Sequence, residues 1–368
     1  MKSKYCLIAA WMLASAYTIS AMAQPAGNNS AAPSLSQSER NEILQTLNTK
    51  LKANYVFPDV ALRITKALAD KSSKGGYATV QTAPALAEAL SKDLREFGDD
   101  KHFRIFVDPR FREDNSPSAV PSAEEINEQR AETVRRSYGI EKLQVLPGNV
   151  GYLELRGFGP TEFVGAAYTS AMSLLAGTDA LILDLRRNGG GNPTSVAYLM
   201  SHFFALGDER HLNDIYTRTD NTTQQSWTSR SVTERYIKPV YVLISPRTFS
   251  GGEECAYDFQ TQKRGTLVGE TTGGGANPVD RFSLGNGLVA SIPTGRAVNP
   301  ITKTNWEHVG VKPDIPVPAA DAQQTAYVAI LRTLVAKSSD PRDRDFLQKT
   351  LNLAEKGESE MPVYKMRQ

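Results

Sequence analysis

Between residues 150 and 261 the chain alternates short apolar runs with segments of helical periodicity, and this alternation constrains the fold more than any other feature. The run Ala180-Leu181-Ile182-Leu183 is apolar at every position, which is typical of a strand covered on both faces. We therefore predict an α/β fold with helices on both faces of a central sheet. The predicted strands occupy 150–155, 180–185 and 240–244, and the helices that follow them occupy 163–175, 194–204 and the residues after 250.

A helical module is predicted at the N-terminal side of this alternation. Leu44, Leu47 and Leu51 repeat at helical spacing, a second helical segment follows Pro58, and a third covers 83–97. A leader rich in Ser, Ala, Asn and Pro precedes them. We predict a flexible leader at 24–36, the helical module at 37–100, an αβ core at 101–336 and a C-terminal helical tail at 337–368.

Within the core, two further segments are predicted to be loops and one a strand. Residues 102–107 have the pattern of a strand, whereas 114–124 is rich in Ser and Pro. The segment 213–233 is polar and rich in Thr and Ser, which favours a surface loop or lid. Helices are predicted at 320–335 and 342–354.

The first residues have the pattern of a secretory signal peptide. Lys2 and Lys4 precede an apolar stretch, and Ala21-Met22-Ala23 fits a signal-peptidase site. Polar residues make the stretch too short for a membrane anchor, which needs about 20 apolar residues. We predict a signal peptide at 1–23, cleavage after Ala23 and an exported, periplasmic protein that is not embedded in a membrane.

Charge and cysteine content narrow the function classes. The chain has 42 Lys and Arg against 40 Asp and Glu, and removal of Lys2 and Lys4 leaves 40 of each. A mature protein without net charge does not indicate nucleic acid or an anionic membrane as a partner. Cys255 is the only cysteine that remains after cleavage, so no internal disulfide is predicted and a small buried residue is favoured there over a thiol nucleophile.

Ser250 is the strongest candidate for a functional residue. It follows the predicted strand 240–244 and leads through Gly251 and Gly252 into a helix. Such a turn presents a hydroxyl at the sheet edge beside the free N–H groups of a helix start, as a serine nucleophile requires. The alternative is a capping box, because Glu253 stands three residues later.

A second glycine-rich turn, Asn188-Gly189-Gly190-Gly191, leaves the strand 180–185 and enters the next helix. Backbone N–H groups can converge there on a phosphate or on the oxyanion of an acyl-transfer intermediate. Thr194 stands where a dinucleotide fingerprint requires a third glycine, so the turn does not indicate a dinucleotide cofactor. We predict no cofactor and no metal. Together with Ser250, the turn favours an oxyanion hole over an ordinary glycine-rich turn.

A serine nucleophile needs a base, and the mature chain offers four histidines. His202 lies in an apolar helix and His211 in a charged loop, so both are predicted to be structural or exposed to solvent. His102 begins a strand after an acidic turn, where a side chain can project into a cleft. Glu307, next to His308, could orient an imidazole or lie in solvent. The residues alone leave these alternatives open.

Several motifs, in this order, resemble those of the S41 family of serine peptidases, which includes tail-specific (C-terminal processing) proteases, tricorn core proteases and the repeats of interphotoreceptor retinoid-binding protein. The N-terminal segment Ala53-Asn54-Tyr55-Val56-Phe57-Pro58 also resembles those repeats and their bacterial relatives. The motifs are His102 after its acidic turn, Asn188-Gly189-Gly190-Gly191, Ser250-Gly251-Gly252-Glu253-Glu254, the run 266–274 with Gly269-Glu270-Thr271-Thr272-Gly273-Gly274, and Glu307-x-x-Gly310-Val311-x-Pro313-Asp314.

This sequence departs from the tail-specific pattern at two points. Too few residues separate His102 from the strand at 150 to hold a PDZ domain. Thr271 stands where those enzymes have the lysine of a Ser/Lys dyad, and a neutral hydroxyl cannot deprotonate Ser250. What remains is similar to the tricorn arrangement, although Lys101 stands where that pattern has a further serine.

The resemblance implies a crotonase/ClpP-like core sheet with packed helices and an N-terminal helical module. Ser250, His102 and Glu307 would be nucleophile, base and orienting carboxylate, with Glu307 hydrogen-bonded to His102. Gly251 and one of Gly189, Gly190 and Gly191 would form the oxyanion hole. The implied function is a serine peptidase acting on peptides or unfolded segments bound as an extra strand. The alternatives are a non-catalytic module that binds apolar ligands, like the retinoid-binding-protein repeats, and an esterase.

Overall fold

The computed structural model describes residues 34–113 and 122–358. The predicted signal peptide, most of the predicted leader, most of the loop predicted at 114–124 and the end of the predicted tail lie outside the described residues. Within the described residues, no helix is both long enough and apolar enough to cross a membrane.

Helices and strands alternate along most of the described chain. The helices are α1 (Gln37–Asn54), α2 (Pro58–Ser73), α3 (Ala83–Gly98), α4 (Ala123–Arg135), α5 (Thr161–Leu175), α6 (Pro193–Ser201), α7 (Gly251–Thr261), α8 (Ala322–Lys337) and α9 (Pro341–Glu355). The strands are β1 (Arg104–Val107), β2 (Ile140–Leu146), β3 (Val150–Leu155), β4 (Ala180–Asp184), β5 (His211–Thr217), β6 (Thr222–Trp227), β7 (Val240–Ile244), β8 (Thr266–Gly269), β9 (Val279–Gly285), β10 (Leu288–Pro293), β11 (Gly295–Val298) and β12 (Ile315–Pro316).

The central sheet has the strand order β12-β8-β7-β4-β3-β2, and only β2 runs antiparallel to its neighbour. One face packs against α5, α6 and α7 through residues such as Leu181, Val242 and Phe259. The other face packs against α8 through residues such as Ile182 and Ile330. The predicted α/β fold with helices on both faces is therefore confirmed, and β7 has the predicted bounds.

The N-terminal helices form a separate apolar cluster with a small sheet. Helices α1, α2 and α3 pack against β1 and β10 through Leu47, Leu90, Phe103 and Leu288, all fully buried. Strand β10 pairs with both β1 and β9. The turn after α3, which carries His102, is therefore fixed between the helices and this sheet.

The loop or lid predicted at 213–233 is wrong for most of its length. Strands β5 and β6 form an antiparallel hairpin there, and β11 pairs with β5 to complete a three-stranded sheet. Most of β6 is exposed, so its polar composition fits a strand with little buried surface. The sequence analysis also did not predict helix α4, which begins where the predicted loop ends. This helix has no buried residues, so it lacks the apolar stripe by which a helix is recognised in a sequence.

Candidate active site

Ser250 lies at the junction of β7 and α7, in the predicted strand-to-helix turn. Its backbone has φ 54° and ψ −122°, a combination that costs free energy for a residue with a side chain. The Glu253 N–H donates to the Ser250 carbonyl oxygen at 2.8 Å, and Ser250 is partly exposed. Backbone strain of this kind is typical of nucleophiles on tight strand-to-helix turns.

Glu253 holds the backbone around Ser250. Its carboxylate accepts hydrogen bonds from the N–H groups of Ser250 (2.9 Å), Gly274 (2.6 Å) and Gly275 (2.9 Å), and from the Thr272 hydroxyl. Burial raises the pKa of Glu253, against the lowering effect of these hydrogen bonds. The Glu253 carboxylate therefore caps the start of α7, as the alternative interpretation predicted, and it also joins this helix to the loop 272–275.

The glycine-rich turn after β4 lies directly against Ser250. Gly190 has φ 93°, and a Cβ atom placed on it would lie 2.8 Å from the Ser250 Cβ. The Phe249 N–H donates to the Asn188 carbonyl oxygen at 3.0 Å. The structure therefore brings together the two motifs that the sequence paired.

Hydrogen bonds distinguish the N–H groups of this turn. The Gly189 N–H donates to the Arg156 carbonyl at 3.1 Å, and the Gly190 N–H to Asn188 Oδ1 at 2.8 Å. Among the described residues, the N–H groups of Gly191 and Gly251 have no such acceptor. A Cβ on Gly251 would lie 3.1 Å from the Gly191 nitrogen, so these two N–H groups are neighbours. Of the candidate donors, Gly191 and Gly251 are the two that are available to a ligand.

His102 lies in the turn between α3 and β1, beside the residue that precedes Ser250. Its imidazole packs on the Phe249 ring with centroids 4.6 Å apart, and its side chain is only 9% exposed. A Cβ on Gly275 would lie 2.6 Å from His102 Cε1. Only glycine at 275 leaves room for the imidazole in this position.

Two buried carboxylates lie near the His102 imidazole. Both ring nitrogens are buried without a hydrogen-bond partner, so the expected bond to Glu307 is not formed. The ion pair of His102 is with Asp100, whose Oδ1 lies 3.6 Å from Nδ1. Glu307 accepts a hydrogen bond from the Ala276 N–H, and its Oε1 has no partner. Burial, and secondarily the Asp100 carboxylate, raise the pKa of Glu307 to about 7.

Two further acidic residues of the core, Glu270 and Asp280, have other partners. Glu270 accepts a hydrogen bond from the Ala319 N–H at 2.9 Å, and Asp280 accepts one from the Thr294 hydroxyl at 2.7 Å. His308 is exposed and faces Asp99 at 3.5 Å. Glu307, the predicted orienting carboxylate, lies in the His102 environment, where His102 contributes to lowering its pKa.

The two remaining histidines have structural surroundings, as predicted, although His211 begins strand β5 and the predicted charged loop there is wrong. His202 is fully buried beside Tyr198, and burial lowers its pKa to about 4. His211 pairs with Asp214 at 2.6 Å and stacks on Trp227. Neither lies in the Ser250 environment described above.

Sequence reasoning missed Asp100, the anchoring role of Glu253 and the requirement for glycine at 275. The acidic turn Asp99-Asp100 and the glycine run 273–275 are visible in the sequence, but their contacts join segments far apart in the chain. Asn277 Nδ2, for example, donates to Asp100 Oδ2 at 2.9 Å. No local pattern predicts such a contact.

A groove of about 830 Å³ begins at the glycine-rich turn. Its lining includes Gly189, Gly190 and the segment 156–160, together with the end of α4 and the start of β2. Its lining is partly charged, with Glu132, Arg135, Arg136, Glu141 and Arg156.

Two family models match adjoining parts of the chain. The model of peptidase family S41 matches residues 149–317, and the model of the N-terminal domain of Peptidase_S41 in eukaryotic IRBP matches residues 34–147. The first covers five of the six strands of the central sheet, Ser250 and Glu307, and the second covers the helical module, His102 and β2.

Individual proteins show the same similarity. The chain is 29% identical over 174 residues to a carboxyl-terminal-processing protease of Synechocystis and 24% identical over 172 residues to a chloroplastic C-terminal processing peptidase of Tetradesmus obliquus. These matches cover 46% and 45% of this chain but only 38% and 34% of the relatives. A lipoprotein from Streptococcus agalactiae has a similar fold, with TM-score 0.52 at 15% identity over 81% of this chain and 98% of that one.

Proposed function

Because this chain belongs to peptidase family S41, we propose that it is a serine hydrolase that cleaves peptides or unfolded chain segments through an acyl-enzyme. The observation that carries the proposal is the strained Ser250, with the free N–H groups of Gly191 and Gly251 beside it. Strain at a serine costs free energy and persists where the surrounding contacts hold it.

The nucleophile in this proposal is the Ser250 hydroxyl. It attacks the carbonyl carbon of the scissile bond while its proton passes to His102. The carbonyl oxygen becomes an oxyanion, which accepts hydrogen bonds from Gly191 and Gly251. His102 then gives the proton to the leaving amine, and water releases the acyl group by the same steps. Each oxyanion donor is worth about 3 kcal/mol in enzymes of this type.

On the base side, His102 is the general base and Glu307 the carboxylate that stabilises its positively charged form. Two facts support these roles: the imidazole lies against Phe249, and the electrostatic influence of His102 reaches Glu307. The bonds that a triad needs would form with a small movement of the imidazole, since catalytic hydrogen bonds are often long without substrate.

The groove beside Gly189 and Gly190 is the proposed path of the peptide. Its volume of about 830 Å³ suits several residues of an extended chain. It reaches Ile140 and Glu141 at the start of β2, the outermost strand at that side of the central sheet. An extended substrate could therefore add to the sheet as a further strand.

A non-catalytic module for apolar ligands has no use for charged side chains in its cavity or for an accessible strained serine. The groove carries arginine and glutamate side chains, and Ser250 is partly exposed. These observations favour hydrolysis of a polar chain over storage of an apolar ligand.

The proposal includes export to the periplasm. Its support is the signal-peptide pattern of residues 1–23, with cleavage after Ala23. N-terminal sequencing of the protein from the producing cell's envelope fraction should begin at Gln24. Recovery of the uncleaved chain from the cytoplasm would contradict export without affecting the catalytic proposal.

The test of catalysis is labelling of the mature protein with a fluorophosphonate, followed by mass-spectrometric mapping of the adduct. We expect an adduct on Ser250 in the wild type, and none in Ser250→Ala or His102→Ala variants whose circular dichroism is unchanged. Cys255, which is buried, should remain unmodified. A folded wild type that takes no label, or a label that persists in Ser250→Ala, would contradict the proposal.

A further inference from the structure

Asp100 is a fully buried acid two residues before the proposed base, with a side chain only 1% exposed. Its Oδ1 accepts the His102 backbone N–H at 3.0 Å. Its Oδ2 accepts hydrogen bonds from Asn277 Nδ2 at 2.9 Å and from the Tyr55 hydroxyl at 3.3 Å. Three donors from separate parts of the chain stabilise negative charge on this carboxylate and fix its position.

The His102 ring presents Nδ1 to this fixed carboxylate. Nδ1 lies 3.6 Å from Asp100 Oδ1, and neither ring nitrogen has another partner. A buried N–H without an acceptor is costly, so a displacement of less than 1 Å that forms the Nδ1–H to Oδ1 bond is favourable. Because the two ring nitrogens point in different directions, Nε2 is then left as the basic atom.

Glu307 is differently placed. It lies in the same environment, but no hydrogen bond joins it to His102, and one of its oxygens is occupied by the Ala276 N–H. Burial is the main cause that raises its pKa to about 7, so its charge changes near neutral pH. A group that changes charge near neutral pH is poorly suited to hold one tautomer of the base over the whole pH range of activity.

We propose that Asp100 is a positioning residue for His102, which accepts the Nδ1–H bond and fixes the tautomer with Nε2 free to take the Ser250 proton. Glu307 then acts through its charge on the imidazolium. This inference rests on the proposed function of Ser250 and His102.

The competing explanation is that Asp100 only stabilises the turn. Its bonds to the His102 backbone, Asn277 and Tyr55 are sufficient for that role. A structural role predicts a loss of activity that follows the loss of folded protein. A positioning role predicts a loss of rate in folded protein and a change of tautomer.

The charged and titratable groups around the base define the control variants. Asp100 and Glu307 are the buried ones, whereas Asp99, Lys101 and His308 are exposed. Asp99 is 91% exposed and precedes Asp100 directly, so Asp99→Asn makes the same chemical change without touching the imidazole.

The experiment compares the fluorophosphonate labelling rate of Ser250 in the wild type, Asp100→Asn and Asp99→Asn between pH 5 and 9, at a temperature where thermal melting shows each to be folded. We expect Asp100→Asn to label about 10² to 10⁴ times more slowly, and Asp99→Asn to label at the wild-type rate. The inference would be overturned if Asp100→Asn is labelled at close to the wild-type rate. It would also be overturned if the labelling rate of Asp100→Asn falls only in proportion to its unfolded fraction. No labelling of the wild type would instead overturn the proposed function.

Nitrogen NMR of protein labelled with ¹⁵N-histidine tests the same point without depending on whether Asp100→Asn folds. In the neutral wild type, His102 should carry its proton on Nδ1, and Asp100→Asn, where folded, should shift the tautomer. The signals that are missing from the His102→Ala spectrum belong to His102, which assigns it among the four histidines. A wild-type His102 with its proton on Nε2 overturns the inference.

Discussion

The nucleophile side of the site, Ser250 with Gly190, Gly191 and Gly251, is held mainly by backbone hydrogen bonds and close backbone packing. The base side, His102 with Asp100 and Glu307, is held by buried side chains, and three of its polar atoms have no hydrogen-bond partner. His102 Nδ1, His102 Nε2 and Glu307 Oε1 are without partners, whereas Asp100 is fully engaged.

This difference determines how the two sides can respond to a substrate. Backbone donors fixed by neighbouring strands and helices need little reorganisation, which is what oxyanion stabilisation requires. Unpaired buried side chains are costly and adjust readily, and their charge states change with pH. We therefore expect substitutions on the nucleophile side to lower the rate equally at every pH, and those on the base side to change the pH profile.

The largest effect is expected from Glu307→Gln on the base side. Loss of a carboxylate that stabilises the imidazolium should lower kcat by up to ~10⁴, by analogy with the serine-protease triad. Stability should change little, because burial already disfavours the charged form of Glu307. Peptide hydrolysis and thermal melting measure the two quantities.

Glu270→Gln is the matched control for this prediction. Glu270 accepts the Ala319 N–H away from His102, so its variant should retain the wild-type kcat. A Glu307→Gln variant with wild-type kcat would show that the base side works without this carboxylate, and would remove it from the triad.

A smaller loss is expected from Gly191→Ala on the nucleophile side. Gly191 has φ 137°, and a Cβ would lie 2.0 Å from the Phe158 carbonyl oxygen, so the turn must shift from its present position. Displacement of one oxyanion donor should lower kcat about 10² to 10³-fold, by the same factor between pH 6 and 9.

Gly189→Ala tests the assignment of the donors. A Cβ there meets no atom within 4 Å, and its N–H is already bonded to Arg156, so the rate should stay close to the wild type. If Gly189→Ala is as damaging as Gly191→Ala, the distinction drawn between the donors of this turn is wrong.

The smallest effects are expected from the lysines nearest in sequence to the motifs. Lys263→Ala and Lys303→Ala should keep the wild-type rate, because the proposed base is an imidazole. In the wild type and in both lysine variants, the rate should rise with increasing pH and then level, because a general base acts in its unprotonated form. Deprotonation of Glu307, with pKa about 7, acts in the same direction because it adds negative charge beside the imidazolium.

Initial rates of peptide hydrolysis from pH 5 to 9 give this profile. A loss of several orders of magnitude in Lys263→Ala or Lys303→Ala, together with an active His102→Ala variant, would replace the histidine mechanism by a lysine dyad. The base side of the site, His102 with Asp100 and Glu307, would then have no catalytic role, and the expected difference in pH dependence between the two sides would not hold.

The hairpin β5–β6 shows where sequence patterns were insufficient for the fold. Strands β3, β4 and β7 were predicted because they are buried on both faces and are therefore mostly apolar. Strand β6 exposes five of its six residues, so its composition resembles that of a loop. Its strand conformation depends on pairing with β5, which a local pattern does not reveal.

The sequence by itself determined the elements that carry Ser250 and the glycine-rich turn, because helical periodicity, buried strands and glycines are local properties. Only the tertiary structure decided which N–H groups remain free and which acid faces His102. Both depend on contacts between distant segments: Lys101 binds the Gly273 carbonyl 172 positions away, and Asn277 binds Asp100 177 positions away. Hydrogen bonds are directional and burial is collective, so their outcome is fixed only when these segments pack together.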